Sequence, residues 1–506
     1  MADLQKLFKK YRFEILAFCA LTVLYFSLRL YNIMSLPIFT DEAIYVRWSQ
    51  IARFDSSWRF ISLTDGKQPL FVWFALNVMR LVEDPLLASR LVSVAAGFST
   101  MVGLFFLGRE IFKNRFVGLI SSFLYALYPF ALVYDRMALY ESLVGVFTVW
   151  ALYFEVLLAR RLRLDIALIL SMVLGAGILT KTSAFFNIYL IPTTLLLFDF
   201  KNKNKKPMLF RWALLVIISV VLAYAYYSVL KLSPFFHIIN EKNTIFVYSF
   251  KDWLTHPFNF LSGNLMGLWD WFITYMSWPV FLLIIMSFFV GLKFTKEKIL
   301  LVIWFVAPFM ALALFGRVLY PRFIFFMTLP LLPLAAFSLS VIYEKVKSKY
   351  LIALIFAAFL ITFARSDFYI LSDFAKAPIA RPDLDQYINE WPAGGGIIET
   401  IDYLSTESEK GKIYVASLGT FGSLPTYSVE IYLGDNRNVD KRGIYPVPSE
   451  IPKDLIEKAK KMPTYLLVSS QSEFEEQIKT WPLALLLEVR KGTRNSFTRL
   501  YRIKSS

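Results

Sequence analysis

The chain has 506 residues, of which 57% are hydrophobic, 17% aromatic and only 18% charged. Soluble domains hold roughly 45–50% apolar and about 25% charged residues, so this composition points to lipid as a solvent and excludes an ordinary soluble enzyme. The net charge of +16 is gathered in short Lys/Arg clusters between apolar runs, which fits a bilayer and argues against nucleic acid as a partner.

Residues 1–12 (MADLQKLFKKYR) are basic and precede an apolar stretch without a small-residue cleavage site, as a retained signal anchor would. A helix needs about 20 apolar residues to cross the hydrocarbon core. Runs of that kind lie near 13–31, 85–107, 116–134, 142–158, 164–180, 183–198, 212–230, 276–293, 299–315, 323–342 and 351–368, which predicts about eleven spans. The pair 164–180 and 183–198 is short and reads as tilted hairpin halves. With the N-terminus in the cytoplasm, the inside clusters are Lys6/Lys9/Lys10/Arg12, Arg109/Lys113/Arg115, Arg160/Arg161/Arg163, Lys201/Lys203/Lys205/Lys206, Lys293/Lys296/Lys298 and Lys345/Lys347/Lys349. Every second connection is then short and basic, as the positive-inside rule requires. The odd number of spans leaves the last segment outside.

Two units follow: a membrane domain at 1–368 and an extracytoplasmic α/β domain at 369–506. In the second, KIYVASL, TYLLVSS and LALLLEVR read as strands, and 383–391, 396–409 and 450–461 have helical composition. Cys19 is the only cysteine and lies in the first apolar run, so no intramolecular disulfide forms. His237 and His256 are the only histidines, too few for a histidine-rich zinc site. No Walker motif and no GxGxxG ahead of a helix is present, so ATP and dinucleotides are not indicated.

The outer loops carry the chemistry. In 32–84, Ile44, Trp48 and Ile51 recur at helical spacing after Asp41 and Glu42, which predicts an amphipathic interfacial helix. Thr40 or Asp41 is then a candidate N-cap, and Asp41 fits a second reading as a general base for an acceptor hydroxyl. Lys67 lies in DGKQP before a second interfacial helix expected at 69–82. It suits either a snorkelling anchor or a cation for a lipid phosphate. Arg90 sits about five residues into the second span, a costly depth unless it faces protein or a polar cavity. Arg136 with Glu141, Lys181, and Arg317 with Arg322 also fall at outer span ends. Singly, each is an interface anchor. Together they suit an anionic lipid-linked substrate better than a channel or pump, because no mid-span Asp or Glu is found apart from Glu155, near a cytoplasmic end. The 231–275 loop, rich in Trp and Phe and holding both histidines, is a candidate acceptor wall or an aromatic belt.

These motifs resemble the GT-C fold membrane glycosyltransferases, in the branch of protein O-mannosyltransferases and aminoarabinose transferases. Asp41 and Glu42 after the first span match that family's acidic pair. DGKQP (65–69) is similar to its Lys-Pro-Pro-Leu segment, with Gln68 in place of the first proline. Arg90 within ASRL, Tyr128-Pro129 with Arg136 and Glu141, GILTK (177–181), and Arg317, Tyr320 and Arg322 ahead of LPLLPLAAF follow in the family's order. Many members carry Asp at the position of Glu141.

The resemblance covers roughly 1–370. It implies inverting transfer of a sugar from a polyprenyl-phosphate donor to a hydroxyl acceptor on the extracytoplasmic face of the plasma membrane. Asp41 and Glu42 form the implied catalytic pair, with Asp41 as the base. Lys67, Arg90, Lys181, Arg317 and Arg322 would hold the donor phosphate, with Arg136, Glu141 and Tyr320 in support. No cofactor is expected. A divalent metal, used by oligosaccharyltransferase relatives, stays open because three carboxylates are at hand. The alternatives are a polyprenyl-lipid or oligosaccharide flippase and a non-catalytic membrane scaffold. The flippase gives no reason for an acidic pair on an outer interfacial helix.

Overall fold

The computed structural model describes residues 2–419, 422–469 and 476–504; of 2–10 it describes the backbone, so the side chains of Lys6, Lys9 and Lys10 lie outside it. The apolar runs expected from the sequence are helical over most of their length, with breaks at Leu127–Tyr128 inside 116–134 and at Leu190 inside 183–198; in lipid each backbone N–H and C=O must be paired within its own segment. The membrane part opens with α1 (Ala2–Leu30), α2 (Thr40–Phe54), α3 (Leu70–Val78) and α4 (Pro85–Phe112). It continues through α5 (Arg115–Ala126), α6 (Pro129–Tyr134), α7 (Glu141–Arg161), α8 (Leu164–Ile178), α9 (Phe185–Tyr189) and α10 (Lys205–Tyr227). After these come α11 (Ile238–Phe246), α12 (Phe250–Thr255), α13 (Leu261–Met276), α14 (Trp278–Val290) and α15 (Thr295–Phe315). The last are α16 (Phe325–Thr328), α17 (Leu332–Lys345) and α18 (Lys349–Ser372).

Among the described residues, seven helices are long and apolar enough to cross a membrane, and α13 with α14 gives an eighth if counted as one bent span. Arg115–Ala126, Leu164–Ile178 and Thr182–Leu197 are shorter apolar helices, the last two being the pair expected as hairpin halves. The chain is thus a multi-pass membrane protein. The 276–293 run is only half of its element: α13 precedes α14 at 96°. Ser277 adopts φ +60 between them, and Pro279 in the first turn of α14 cannot supply the N–H that a continuous helix needs.

Helix ends follow local chemistry. Asp84 accepts from the Leu87 N–H at 2.7 Å to cap α4, whose first residue is Pro85. Asn114 caps α5 in the same way. Crossings rely on missing side chains: a Cβ on Gly108 would sit 2.8 Å from Ser121 Oγ, and one on Gly118 2.5 Å from the Phe105 carbonyl, so α4 and α5 meet backbone to backbone. Deeper in, Arg29 and Asp135 form an ion pair with both side chains fully buried. Arg29 also donates to the Ala126 and Tyr125 carbonyls, while Tyr25, Tyr125 and Ser142 donate to Asp135. One network so ties α1 to α5 and α7.

The C-terminal unit is built on a five-stranded sheet in the order β2-β1-β3-β5-β4. Its strands are β1 (Ile413–Leu418), β2 (Val439–Ile444), β3 (Thr464–Ser469), β4 (Leu483–Arg490) and β5 (Phe497–Ile503). The first three are mutually parallel, and the β3–β5 and β4–β5 pairs are antiparallel. Expected strands match β1, β3 and β4, with Ser470 at the end of TYLLVSS outside the described residues. The helices are α19 (Arg381–Leu384), α20 (Ile397–Lys410), α21 (Leu424–Leu433) and α22 (Lys453–Lys461). This unit is seated on α2. Arg47 pairs with Glu430 at 2.8 Å, Gln50 donates to the Ile431 carbonyl, and Thr40 donates to the Pro392 carbonyl.

Candidate active site

A cavity of about 1020 Å³ opens between the membrane helices and the C-terminal unit. Asp41 reaches it from the first turn of α2, where the helix dipole favours a carboxylate. The expected N-cap is corrected: Phe39 holds that position and the Thr40 hydroxyl is spent on Pro392. Asp41 Oδ2 lies 2.8 Å from Arg322 Nη1, and its Oδ1 lies 3.8 Å from Lys67 Nζ. Burial alone would raise the Asp41 carboxyl, but Lys67, Arg322 and Lys181 outweigh it and hold it at about 2.

Lys67 is aimed by the turn before it. The 3-10 turn Ile61–Asp65 ends on Gly66 in the left-handed region (φ +66), where a Cβ would meet the Ile238 carbonyl at 2.6 Å. Lys67 then donates to Tyr45 Oη at 2.8 Å and lies 3.5 Å from Asp65. Arg322 sits over the rings of Phe39, Tyr320 and Phe323, and its Nε has no partner among the described residues. A largely buried guanidinium that, among the described residues, forms its one ion pair with Asp41 keeps donors for an anion. Lys181 lies 2.6 Å from Glu141, whose side chain is 6% exposed. Lys242 on α11 closes the ring by pairing with Asp65. Along Phe185, Phe186, Leu312, Phe326 and Met327 the cavity wall is apolar. Among the described residues no group of three or more His, Cys, Asp and Glu stands close enough to hold a metal ion.

Six of the residues singled out in the sequence therefore share one wall: Asp41, Lys67, Glu141, Lys181, Tyr320 and Arg322. Four do not. Glu42 points inward and takes four hydrogen bonds, from Arg90 Nε (2.9 Å) and Nη2 (2.8 Å) and from the Phe39 and Ala138 N–H groups (3.0 and 2.7 Å). Arg90 spends its remaining donors on the carbonyls of Ile33, Leu36 and Pro37, and both side chains are fully buried. The pair braces the loop that delivers α2, and neither member lines the cavity. Arg136 donates to the Tyr31 and Asn32 carbonyls. Arg317 is exposed, with its guanidinium over Tyr248. In the 231–275 loop both histidines are exposed and off the cavity, and Lys242, Asn243, Phe246 and Val247 line it instead. Lys242 went unseen because no motif marks it, although its helix repeats Ile238/Ile239 and Ile245/Phe246 seven residues apart. The wall that the C-terminal unit supplies, including Trp391, Tyr445 and Ser469, was equally hidden.

The family model for dolichyl-phosphate-mannose-protein mannosyltransferases matches residues 66–227. Among solved structures, the chain is similar to ArnT from Cupriavidus metallidurans bound to undecaprenyl phosphate, with TM-score 0.63, 14% identity and coverage of 97% of this chain and 98% of that one. It is also similar to the oligosaccharyltransferase AglB from Archaeoglobus fulgidus in complex with an inhibitory peptide and a dolichol-phosphate, with TM-score 0.55, 12% identity and coverage of 94% and 73%. A second structure of the Archaeoglobus fulgidus oligosaccharyltransferase, in complex with zinc and sulfate, gives TM-score 0.55 at 13% identity and coverage of 95% and 74%. No curated protein matches the chain in sequence. The fold is the GT-C fold that the sequence motifs implied.

Proposed function

We propose that this GT-C fold membrane protein is a glycosyltransferase that moves a sugar from a polyprenyl-phosphate donor to a hydroxyl acceptor, with inversion, at the extracytoplasmic face of the plasma membrane. The observation that carries this reading is Asp41 held between Lys67 and Arg322 on the wall of a cavity that is cationic at one end and apolar along its side. The apolar wall suits a prenyl chain, and the cations suit its phosphate. That relatives of this fold were solved with undecaprenyl phosphate and dolichol-phosphate adds weight to a lipid-phosphate ligand.

In this mechanism the acceptor oxygen attacks the anomeric carbon as Asp41 takes its proton. The bond from that carbon to the phosphate oxygen breaks, and its electron pair stays on the phosphate, where Lys67, Lys181 and Arg322 balance the charge. A carboxyl held at about 2 is a weak base. A bound phosphate draws the same cations toward itself, which lifts the Asp41 carboxyl and restores its basicity only in the loaded site. The reaction as proposed uses no metal, and chelation with EDTA leaves the rate unchanged.

The test uses the full chain in liposomes, supplied with undecaprenyl-phosphate-linked mannose, glucose or arabinose and a panel of hydroxyl acceptors. Asp41→Asn lowers transfer by about 10²–10⁴-fold, the usual worth of a positioned base, while undecaprenyl phosphate still binds. Transfer at the unmodified rate by this variant removes Asp41 from the mechanism.

A further inference from the structure

The cavity has two ends of different chemistry. Its cations, Lys67, Lys181, Lys242 and Arg322, all stand on the membrane part. Among the described residues, none that the C-terminal unit contributes to the wall is charged. Two of them are large aromatics left open: Trp391 is 47% exposed and Tyr445 is 66% exposed. Exposed aromatics on a membrane protein often form an interfacial belt, but these two also line the cavity.

Beside them stands Ser469, at the carboxyl end of β3, the edge of a parallel arrangement at which α/β sheets bind their ligands. Behind Ser469 lies Lys491, fully buried. Its Nζ donates to Ser469 Oγ at 2.6 Å and to the Trp391 carbonyl at 3.3 Å. Burial lowers this ammonium to about 7, so its placement there is costly. The Ser469 hydroxyl gives its own proton to the Trp391 carbonyl at 3.4 Å, so with Lys491 on one lone pair the serine oxygen keeps a second lone pair as an acceptor. The same lysine holds Trp391 by its backbone.

We propose that Trp391, Tyr445 and Ser469, with Lys491 as the positioning residue behind them, form a subsite for a neutral carbohydrate, so that the acceptor is a glycan. Faces of sugar rings lie against the aromatic rings, and Ser469 Oγ accepts from a sugar hydroxyl. An anionic acceptor would favour the cationic end, where it would compete with the donor phosphate. This inference rests on the transferase reading but is tested apart from it.

The full chain in lipid nanodiscs is titrated with maltotriose and mannotriose, binding being followed by saturation-transfer NMR. In parallel, undecaprenyl phosphate binding is measured. Trp391→Ala and Tyr445→Ala, open-surface changes that spare the fold, weaken trisaccharide binding about tenfold, as truncation of a contact aromatic does. Ser469→Ala weakens it less, and Lys491→Gln follows Ser469→Ala. Undecaprenyl phosphate binding stays unchanged in all four. Trisaccharide signals that survive both aromatic substitutions overturn the subsite, as does capture of a serine-containing peptide in place of either saccharide. Loss of carrier binding in the unmodified chain would instead strike the transferase reading and leave the saccharide result standing.

Discussion

Replacing Glu42 with Gln separates a brace from a catalyst. In the folded chain the Glu42 carboxylate takes four hydrogen bonds and pairs with Arg90, both side chains being fully buried. The amide in Glu42→Gln leaves the guanidinium buried without a counter-charge and sets an NH2 against the Phe39 or Ala138 N–H. Removing one partner of such a pair costs about 3–5 kcal/mol. At about 1.4 kcal/mol per factor of ten, that is a shift of more than a hundredfold toward the unfolded state. Thermal unfolding of the purified protein, followed by intrinsic fluorescence, reads this loss directly. Turnover per folded molecule, measured well below the new midpoint, stays close to that of the unmodified chain, because Asp41 and its cations are untouched. Replacing both partners together, as Glu42→Gln with Arg90→Met, recovers a large part of the stability, since the unpaired charge is gone. An Glu42→Gln protein with unchanged thermal stability but abolished turnover would refute this reasoning and make Glu42 a participant in the reaction.

Three further outcomes follow from the geometry. Arg322→Ala and Lys67→Ala each remove a charge-assisted contact worth about 1.5–3 kcal/mol to a phosphate, so the donor KM rises about tenfold to a hundredfold in steady-state transfer assays; an unchanged KM places the phosphate elsewhere. Burial raises the Asp383 carboxyl to about 7, against hydroxyls donated by Tyr275 and Tyr134. The folded state therefore holds a proton between about pH 4 and 7 that the unfolded chain has released. The stability tied to it is present below that window and lost as pH rises through 7. Unfolding midpoints at pH 5 and pH 8 differ less in Asp383→Asn, and equal differences in both proteins contradict the assignment. Gly97→Ala puts a Cβ 2.3 Å from the Asp135 carboxylate and the Tyr25 hydroxyl, an overpacking that costs about 1–3 kcal/mol; a thermal midpoint equal to that of the parent denies the close approach.

The spans were legible because lipid imposes one rule on every segment that crosses it, and apolar runs of fixed length are the trace of that rule. Which charged groups share the cavity was legible only in part. Asp41 and Glu42 are adjacent in sequence, and neighbouring helical residues point about 100° apart. The sequence displays the pair and not the face each member takes: one opens on the cavity, the other turns into the core. The family resemblance implied a phosphate role for Arg90, whereas its depth required only a partner, and it has one in Glu42. In the tail, β1 and β3 are buried along their whole length and read as continuous apolar runs. The strand β2 (VDKRGI) has a mixed burial pattern and four polar or flexible central residues, so no run betrays it. The helix α21 is buried nearly all round between α2 and the sheet, and the apolar stripe that marks a surface helix is missing.

The cations of the cavity are not left bare: Asp41 answers Lys67 and Arg322, Glu141 answers Lys181, and Asp65 answers Lys242. For the proposed reaction this matters most after the sugar has gone. The spent carrier is a phosphate monoester with more negative charge than the diester that arrived, and an unopposed basic pocket would grip it harder than the incoming donor. Resident carboxylates that reclaim their partners compete with that grip, so product inhibition is tempered and the carrier can depart for another round.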